Sequence, residues 1–249
     1  MAHPSLVQTD HRPWPVPNGR WTWRQSWKDL LFAHWPIDAK VLRPLVPPSL
    51  SIQEFDGTSW VGVVPFRMSG VMRRPLPDLP WVSAFPELNL RLYVERDGRP
   101  GVWFLSLDAT NPIAVWAARQ FFHLPYFKAD ISIEQTSDAF NYRSTRTDAP
   151  QGLTFEARYG PTGDVYTSQP GSLEHWLTER YCLYAQSPTG ELFRTEVHHK
   201  PWPLQPAHAE IIRNEMGNPH GLTLSDGPTL IHFSHSIDVV VWNPVRLAI

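Results

Sequence analysis

Within residues 87–94 an acid, an amide, a guanidinium and a phenol alternate with apolar side chains. Glu87, Asn89, Arg91 and Tyr93 take every second position, and Leu88, Leu90, Leu92 and Val94 fill the gaps. A period of two puts the first set on one face of a strand and the second set on the other. Against apolar walls the Glu87 carboxyl would have its pKa raised and would serve as a proton donor or acceptor. Arg91 suits a substrate carboxylate, which a guanidinium grips with two parallel hydrogen bonds. An architectural reading is open as well. Outward strand residues are commonly polar, and Glu87 with Arg91 could be a buried ion pair that only sets register.

The flanking sequence predicts the elements that carry this face. Asp97-Gly98 is a hairpin turn signal, and the return run from Gly101 to Leu107 is apolar enough to be covered on both sides. Asn111-Pro112 supplies an N-cap and a first helical residue for a helix running towards Leu124-Pro125, where proline restores extended chain. Upstream, residues 24–35 read as a strand, or as a short helix followed by one. A short helix capped by Asp38 ends before Pro47-Pro48, and strands at 50–55 and 59–66 flank an Asp56-Gly57 turn. Downstream, strands are expected at 126–135, 140–146, 153–159 and 191–198. A helix from Ser172 to about Tyr181, a short helix at 206–214, and strands at 229–235 and 237–242 complete the chain. The proline-rich run from Arg73 to Pro80 reads as a connector rather than a lid. Residues 1–19 read as a surface tail, and 20–249 as one domain. Many short strands with a few short helices predict a mainly β fold, a closed, chiefly antiparallel barrel.

Composition removes several classes of function. The 249 residues carry a net charge of −2, which gives no electrostatic basis for nucleic acid or an anionic membrane. No run approaches the ~18 apolar residues of a membrane span, and the first residues lack the basic and apolar regions of a signal peptide. One cysteine, Cys182, allows no internal disulfide and fits a reducing compartment, so the cytoplasm is expected. The adjacent His198 and His199 must face apart on a strand, as must His232 and His235. With no Cys/His grouping, no metal is expected. Neither a glycine-flanked serine elbow nor a glycine-rich phosphate loop occurs, so no cofactor is expected.

Several short segments, in order, resemble the acetoacetate decarboxylase superfamily. Val41-Leu42-Arg43-Pro44-Leu45-Val46-Pro47-Pro48-Ser49-Leu50-Ser51-Ile52 is similar to that family's Ala-Leu-Arg-x-x-Val-Pro-x-x-Leu-x-Ile segment. Phe85-Pro86-Glu87 stands where those enzymes have Tyr-Thr-Glu. Asn111-Pro112-Ile113-Ala114-Val115, followed by Arg119 and Pro125, resembles the helix and lysine site. The likeness is closer still to the YqjF-like branch, which shares FPELN, LPYF-like and HxPWPL-type segments along nearly the whole chain.

The resemblance implies a cone-shaped antiparallel barrel around a largely apolar cavity. It also implies a lysine imine as the family's chemistry, with the amine activated by desolvation and a neighbouring cation. Gapless matching places that lysine at Tyr126, and a phenol forms no imine. Glu87 matches the carboxylate beside the substrate, and Lys28 falls where the family has an arginine. A second acid has no counterpart near Ser59 to Val63. Lys128, two residues past Tyr126, shares its strand face and could reach the same cavity.

The expected catalytic pair is therefore Glu87 and Tyr126. Lys28, Asn89, Arg91, Tyr93, Arg119 and Lys128 are expected to bind substrate, although Arg119 could equally cap a loop carbonyl. The function so implied is acid–base chemistry on a small oxo or carboxylic acid. A non-catalytic small-molecule binding or sensing barrel is the alternative, and a structural barrel that self-associates through its aromatics is a third. The expected partner is a small molecule, with a homo-oligomer possible.

Overall fold

A computed structural model describes residues 3–76, 83–148, 152–224 and 227–248. In chain order it forms β1 (Trp23–Ile37), α1 (Ala39–Leu42), β2 (Ser51–Ile52), β3 (Ser59–Arg73), β4 (Phe85–Arg96) and β5 (Arg99–Ala109). Then come α2 (Pro112–Phe122), β6 (Tyr126–Gln135), β7 (Phe140–Arg146), β8 (Thr154–Pro161), α3 (Leu173–Thr178) and β9 (Cys182–Gln186). The last strands are β10 (Leu192–His198), β11 (Gln205–Asn214), β12 (Leu230–Val241) and β13 (Val245–Arg246). The fold is mainly β with a few short helices. Among the described residues no helix is long and apolar enough to cross a membrane.

Strand pairing runs from β4 through β5, β9, β10, β12, β1 and β3 back to β4. A second path leaves β5 through β6, β7, β8 and β11 and rejoins at β12. Two of these pairings, β5 with β6 and β5 with β9, are parallel and share the edge of β5 that faces away from β4; the others are antiparallel, so the sheet is chiefly antiparallel as expected. Parallel neighbours need a crossover; α2 supplies it between β5 and β6.

Local signals set the hairpin and the crossover. Asp97 and Gly98 both take positive φ, 53° and 67°, as a tight primed turn between β4 and β5 requires. The Asn111 side chain accepts from the amides of Ile113 and Ala114 at 3.0 and 3.1 Å, and Pro112 begins α2. His123 closes that helix in the left-handed conformation.

Packing overrode local pattern elsewhere. Residues 206–214, expected to be helical, belong to β11. Ala207, Ala209 and Ile211 alternate inward there, and pairing with β8 satisfies the backbone. The two expected strands at 229–242 are one, β12. The Ser172-capped helix stops at Thr178 because Cys182 already pairs in β9. The expected strand at 50–55 shrinks to Ser51–Ile52, whereas the one at 59–66 extends to Arg73. The connector expected over Arg73 to Pro80 lies outside the described residues beyond Leu76.

The N-terminal segment is fastened rather than draped. Arg12 is buried, donates to the Val197 carbonyl at 2.6 Å and pairs with Glu196 at 3.0 Å. His198 and the Ser5 carbonyl share a further hydrogen bond at 2.9 Å.

Both faces of β4 are covered. Leu88, Leu90 and Leu92 sit in a core with Leu31, Phe155 and Phe233. Behind β5, Asp108 and Arg146 form a buried ion pair at 2.7 Å. Replacing Asp108 by Ala strands the guanidinium and should cost about 3–5 kcal/mol in urea unfolding. A loss under about 1 kcal/mol would show that the pair does not hold β5 to β7.

Candidate active site

The polar face of β4 looks into a pocket of about 270 Å3 rather than into solvent. Its walls are mostly apolar, with Phe66, Met68, Phe85, Leu107 and Trp202 prominent. Trp202 is stacked on Trp27 at 5.8 Å and meets the edge of Phe32 at 4.9 Å. Helix α2 lines one end through Ala114, Ala118 and Phe122. Glu87, Asn89 and Arg91 enter from β4, and Tyr126 enters from the start of β6.

Tyr126 donates a hydrogen bond to Glu87 Oε2 at 2.8 Å. Register explains the meeting: Glu87 pairs with Ala109 and Tyr126 with Leu107, so the two side chains lean towards each other across β5. Neither group is open to water, with Glu87 at 2% and Tyr126 at 8% exposure. Burial pushes the Glu87 carboxyl up to about 8, although the Tyr126 hydrogen bond opposes the shift; the nearby Asp108 charge adds to it. Burial and the neighbouring Glu87 likewise hold the Tyr126 phenol well above its ordinary value. At neutral pH the pair is a carboxylic acid bonded to a neutral phenol, an arrangement able to give a proton.

Further along β4 the pocket carries positive charge without a carboxylate. Arg91 lines it from β4, and Arg180, between α3 and β9, lines it from the facing side. The two are 9% and 8% exposed, and neither forms an ion pair among the described residues. On each guanidinium, Nε and Nη2 are buried with no hydrogen-bond partner. Arg180 Nη1 donates to the Gln53 amide, which in turn donates to Glu95 at 2.7 Å. The cations lie over the Tyr93 ring at 5.8 and 4.9 Å. Such contacts give ~0.5–2 kcal/mol each, against a desolvation penalty of several kcal/mol per buried ion. Burial lowers Arg180 to about 10, which leaves it charged at neutral pH.

Of the residues expected at the site, Glu87, Asn89, Arg91 and Tyr126 come together in the pocket. Glu87 and Arg91 form no ion pair, so the register-setting reading is set aside. Tyr93 is buried just beyond and shares a 2.6 Å hydrogen bond with His34. Lys28 is exposed and lies outside the pocket. A bulge at Asp29, whose φ is 51°, resets the alternation of β1, so Trp27 and Leu30 take the inward positions. Lys128 is exposed as well, because β6 parts from β5 after pairing Lys128 with Ala109 and the strand face beyond that point is uncovered. Arg119 lies outside too. It donates to the Tyr126 carbonyl at 2.6 Å and pairs with Asp148 at 2.9 Å, which makes it a positioning residue for the start of β6.

Sequence reasoning missed Arg180, Trp27, Thr178 and His199 as pocket residues. Extending the Ser172 helix past Thr178 hid Arg180, and no local pattern marks it.

Residues 24–238 match the DUF2071 family, described as an uncharacterized conserved protein. The chain belongs to that family. It is 45% identical over 231 residues to the uncharacterized protein YqjF of Bacillus subtilis, covering 93% of this chain and 94% of that one. Among solved structures, this DUF2071 chain resembles an acetoacetate decarboxylase from Legionella pneumophila at 15% identity, with a TM-score of 0.62 over 96% of this chain and 93% of that one. The enduracididine biosynthesis enzyme MppR, complexed with pyruvate, matches at 12% identity with a TM-score of 0.64 over the same shares. At these identities the likeness is one of fold.

Two measurements test the electrostatics. A Glu87 pKa raised from 4.5 to about 8 in the folded state means that native protein holds a proton which the unfolded chain has released between those values. Stability is then lost as pH rises from about 4.5 through about 8. Glu87→Gln should match wild type near pH 5 and gain on it by a few kcal/mol near pH 8. A constant difference across that window would refute the raised pKa. For Arg180→Met, loss of an unpaired buried charge should raise ligand-free stability by about 1–3 kcal/mol; a fall of that size would mean the guanidinium is already compensated.

Proposed function

We propose that the closed strand circuit is a barrel enclosing a ligand cavity, and that the protein acts there on a small oxo or carboxylic acid by proton transfer through Glu87 and Tyr126. The observation that carries this reading is the 2.8 Å Tyr126–Glu87 hydrogen bond inside a largely apolar pocket with no lysine among its lining residues. A carboxyl held protonated to about pH 8 by burial is matched to giving its proton to a carbonyl oxygen near neutrality; the carboxylate so formed takes a proton from the carbon beside the carbonyl, which yields the enol and restores the acid, and the reverse steps return a solvent-derived proton to that carbon. Tyr126 accompanies it as a neutral hydrogen-bond donor that steadies the carboxylate when the proton has left. Imine chemistry needs a desolvated amine, and both candidate lysines are exposed. The solved fold relatives include an acetoacetate decarboxylase and a pyruvate complex, which makes oxo acids the first class to try.

The test uses proton exchange. Wild-type protein is incubated in D2O with keto acids running from α-ketobutyrate through levulinate to ω-oxo fatty acids, and deuterium uptake beside the carbonyl is followed by NMR. At least one acid should exchange faster than in buffer, and Glu87→Gln should slow it on the order of a hundredfold or more. Borohydride should trap no adduct on any lysine. Exchange indifferent to Glu87→Gln, or a trapped lysine adduct, would overturn the mechanism. Binding without exchange across the whole panel would leave a binding barrel in its place.

A further inference from the structure

The pocket has two chemically different ends, and only one is accounted for by acid–base chemistry. The Glu87–Tyr126 pair sits near the apolar end formed by Phe85, Leu107 and α2. At the other end Arg91 and Arg180 stand with buried, unpartnered nitrogens, and the Asn89 Oδ1 atom between the ends is unpartnered too. Both cations are more than nine-tenths buried and face the same Tyr93 ring. No acid among the described residues pairs with either; the sole link from Arg180 to a carboxylate runs through the Gln53 amide to Glu95. His34, beside Tyr93, adds no further positive charge, because burial and the Arg91 charge keep its ring neutral. Aromatic rings face both cations, with Phe32 at 5.2 Å from Arg91 and Trp176 at 4.4 Å from Arg180, yet two desolvated like charges with open donors still cost stability that a bound anion would recover.

We propose that Arg91 and Arg180 form a carboxylate subsite, and that the ligand is an amphiphilic carboxylic acid whose apolar body extends past Asn89 and Glu87 towards α2. This rests on the reading of the pocket as a ligand cavity and specifies what enters it. Glu87 and Arg91 are four residues apart on one strand, which is roughly 13 Å of chain at ~3.4 Å per residue. A carboxylate held at Arg91 and Arg180 therefore meets Glu87 well down its body, not at the carbon next to the carboxyl group. Short keto acids cannot touch both ends at once. A medium-chain acid carrying a carbonyl or hydroxyl far from its carboxylate can. The guanidinium pair supplies planar, bidentate recognition of the head, and the aromatic walls accept the chain without demanding a particular hydrogen-bond pattern.

Binding is read by calorimetry, with quenching of the Trp27 and Trp202 fluorescence as a second signal. The probes are octanoate, octanol and butyrate, used on wild-type protein, Arg180→Gln and Glu87→Gln. Wild type should bind octanoate at least about thirtyfold more tightly than either octanol, which lacks the charge, or butyrate, which lacks the chain. Arg180→Gln should weaken octanoate by a similar factor and leave octanol unchanged. Should the variant fail to fold, the wild-type comparison of octanoate with octanol decides alone. Equal affinity for octanoate and octanol, or full octanoate affinity in folded Arg180→Gln, would overturn the subsite. Exchange of a short keto acid that depends on Glu87, with no preference for octanoate, would defeat the subsite and leave the proposed chemistry standing. Octanoate binding lost in Arg180→Gln, with no exchange in any keto acid, would do the reverse.

Discussion

Strand β4 is buried on both faces, and the rest of the molecule is arranged to make that possible. One face carries Leu88, Leu90 and Leu92, which need nothing but packing. The other carries Glu87, Asn89 and Arg91, whose polar groups lose water when the strand is covered. A strand in such a position must find partners for its ionisable groups, shift their proton equilibria, or leave them waiting for a ligand. All three outcomes occur here. The Glu87 carboxyl finds Tyr126, its proton affinity rises, and Arg91 is left without an anion.

Supporting elements act on this strand through its neighbours. β5 lies beside β4 along one edge and pairs in parallel with β6 and β9 along the other, so it holds Tyr126 near its end and the strand that follows Arg180 nearer its start. The buried Asp108–Arg146 pair ties β5 to β7 below the pocket. Arg119 reaches from α2 to the Tyr126 carbonyl and fixes the point at which β6 begins. A phenol placed by register and by a side chain from the preceding helix is held within a narrow range.

The likeness to acetoacetate decarboxylases is one of fold. Among the described residues no lysine lines the pocket, and Lys28 and Lys128 are turned outwards by a bulge in β1 and by the departure of β6 from β5. The pocket holds a protonated acid at one end and, at the other, two guanidiniums whose Nε and Nη2 atoms have no partner among the described residues.

The sequence alone determined the features around β4 that short-range periodicity and turn chemistry govern. The alternation from Glu87 to Val94, the Asp97-Gly98 turn and the Asn111-Pro112 helix start were legible because a strand's two faces and a helix's first turn are set by residues a few positions apart. Ordered short segments also carried the family likeness. Only the tertiary structure decided which faces were covered. Residues 206–214, expected to form a helix, became a strand because β8 offered a ladder. Lys28 and Lys128 were lost to the site through a bulge and a strand separation that alternation cannot register. Arg180 entered it from a segment more than eighty residues away from Glu87 in sequence, since contacts between distant strands depend on pairing around the whole circuit and leave no trace in local pattern.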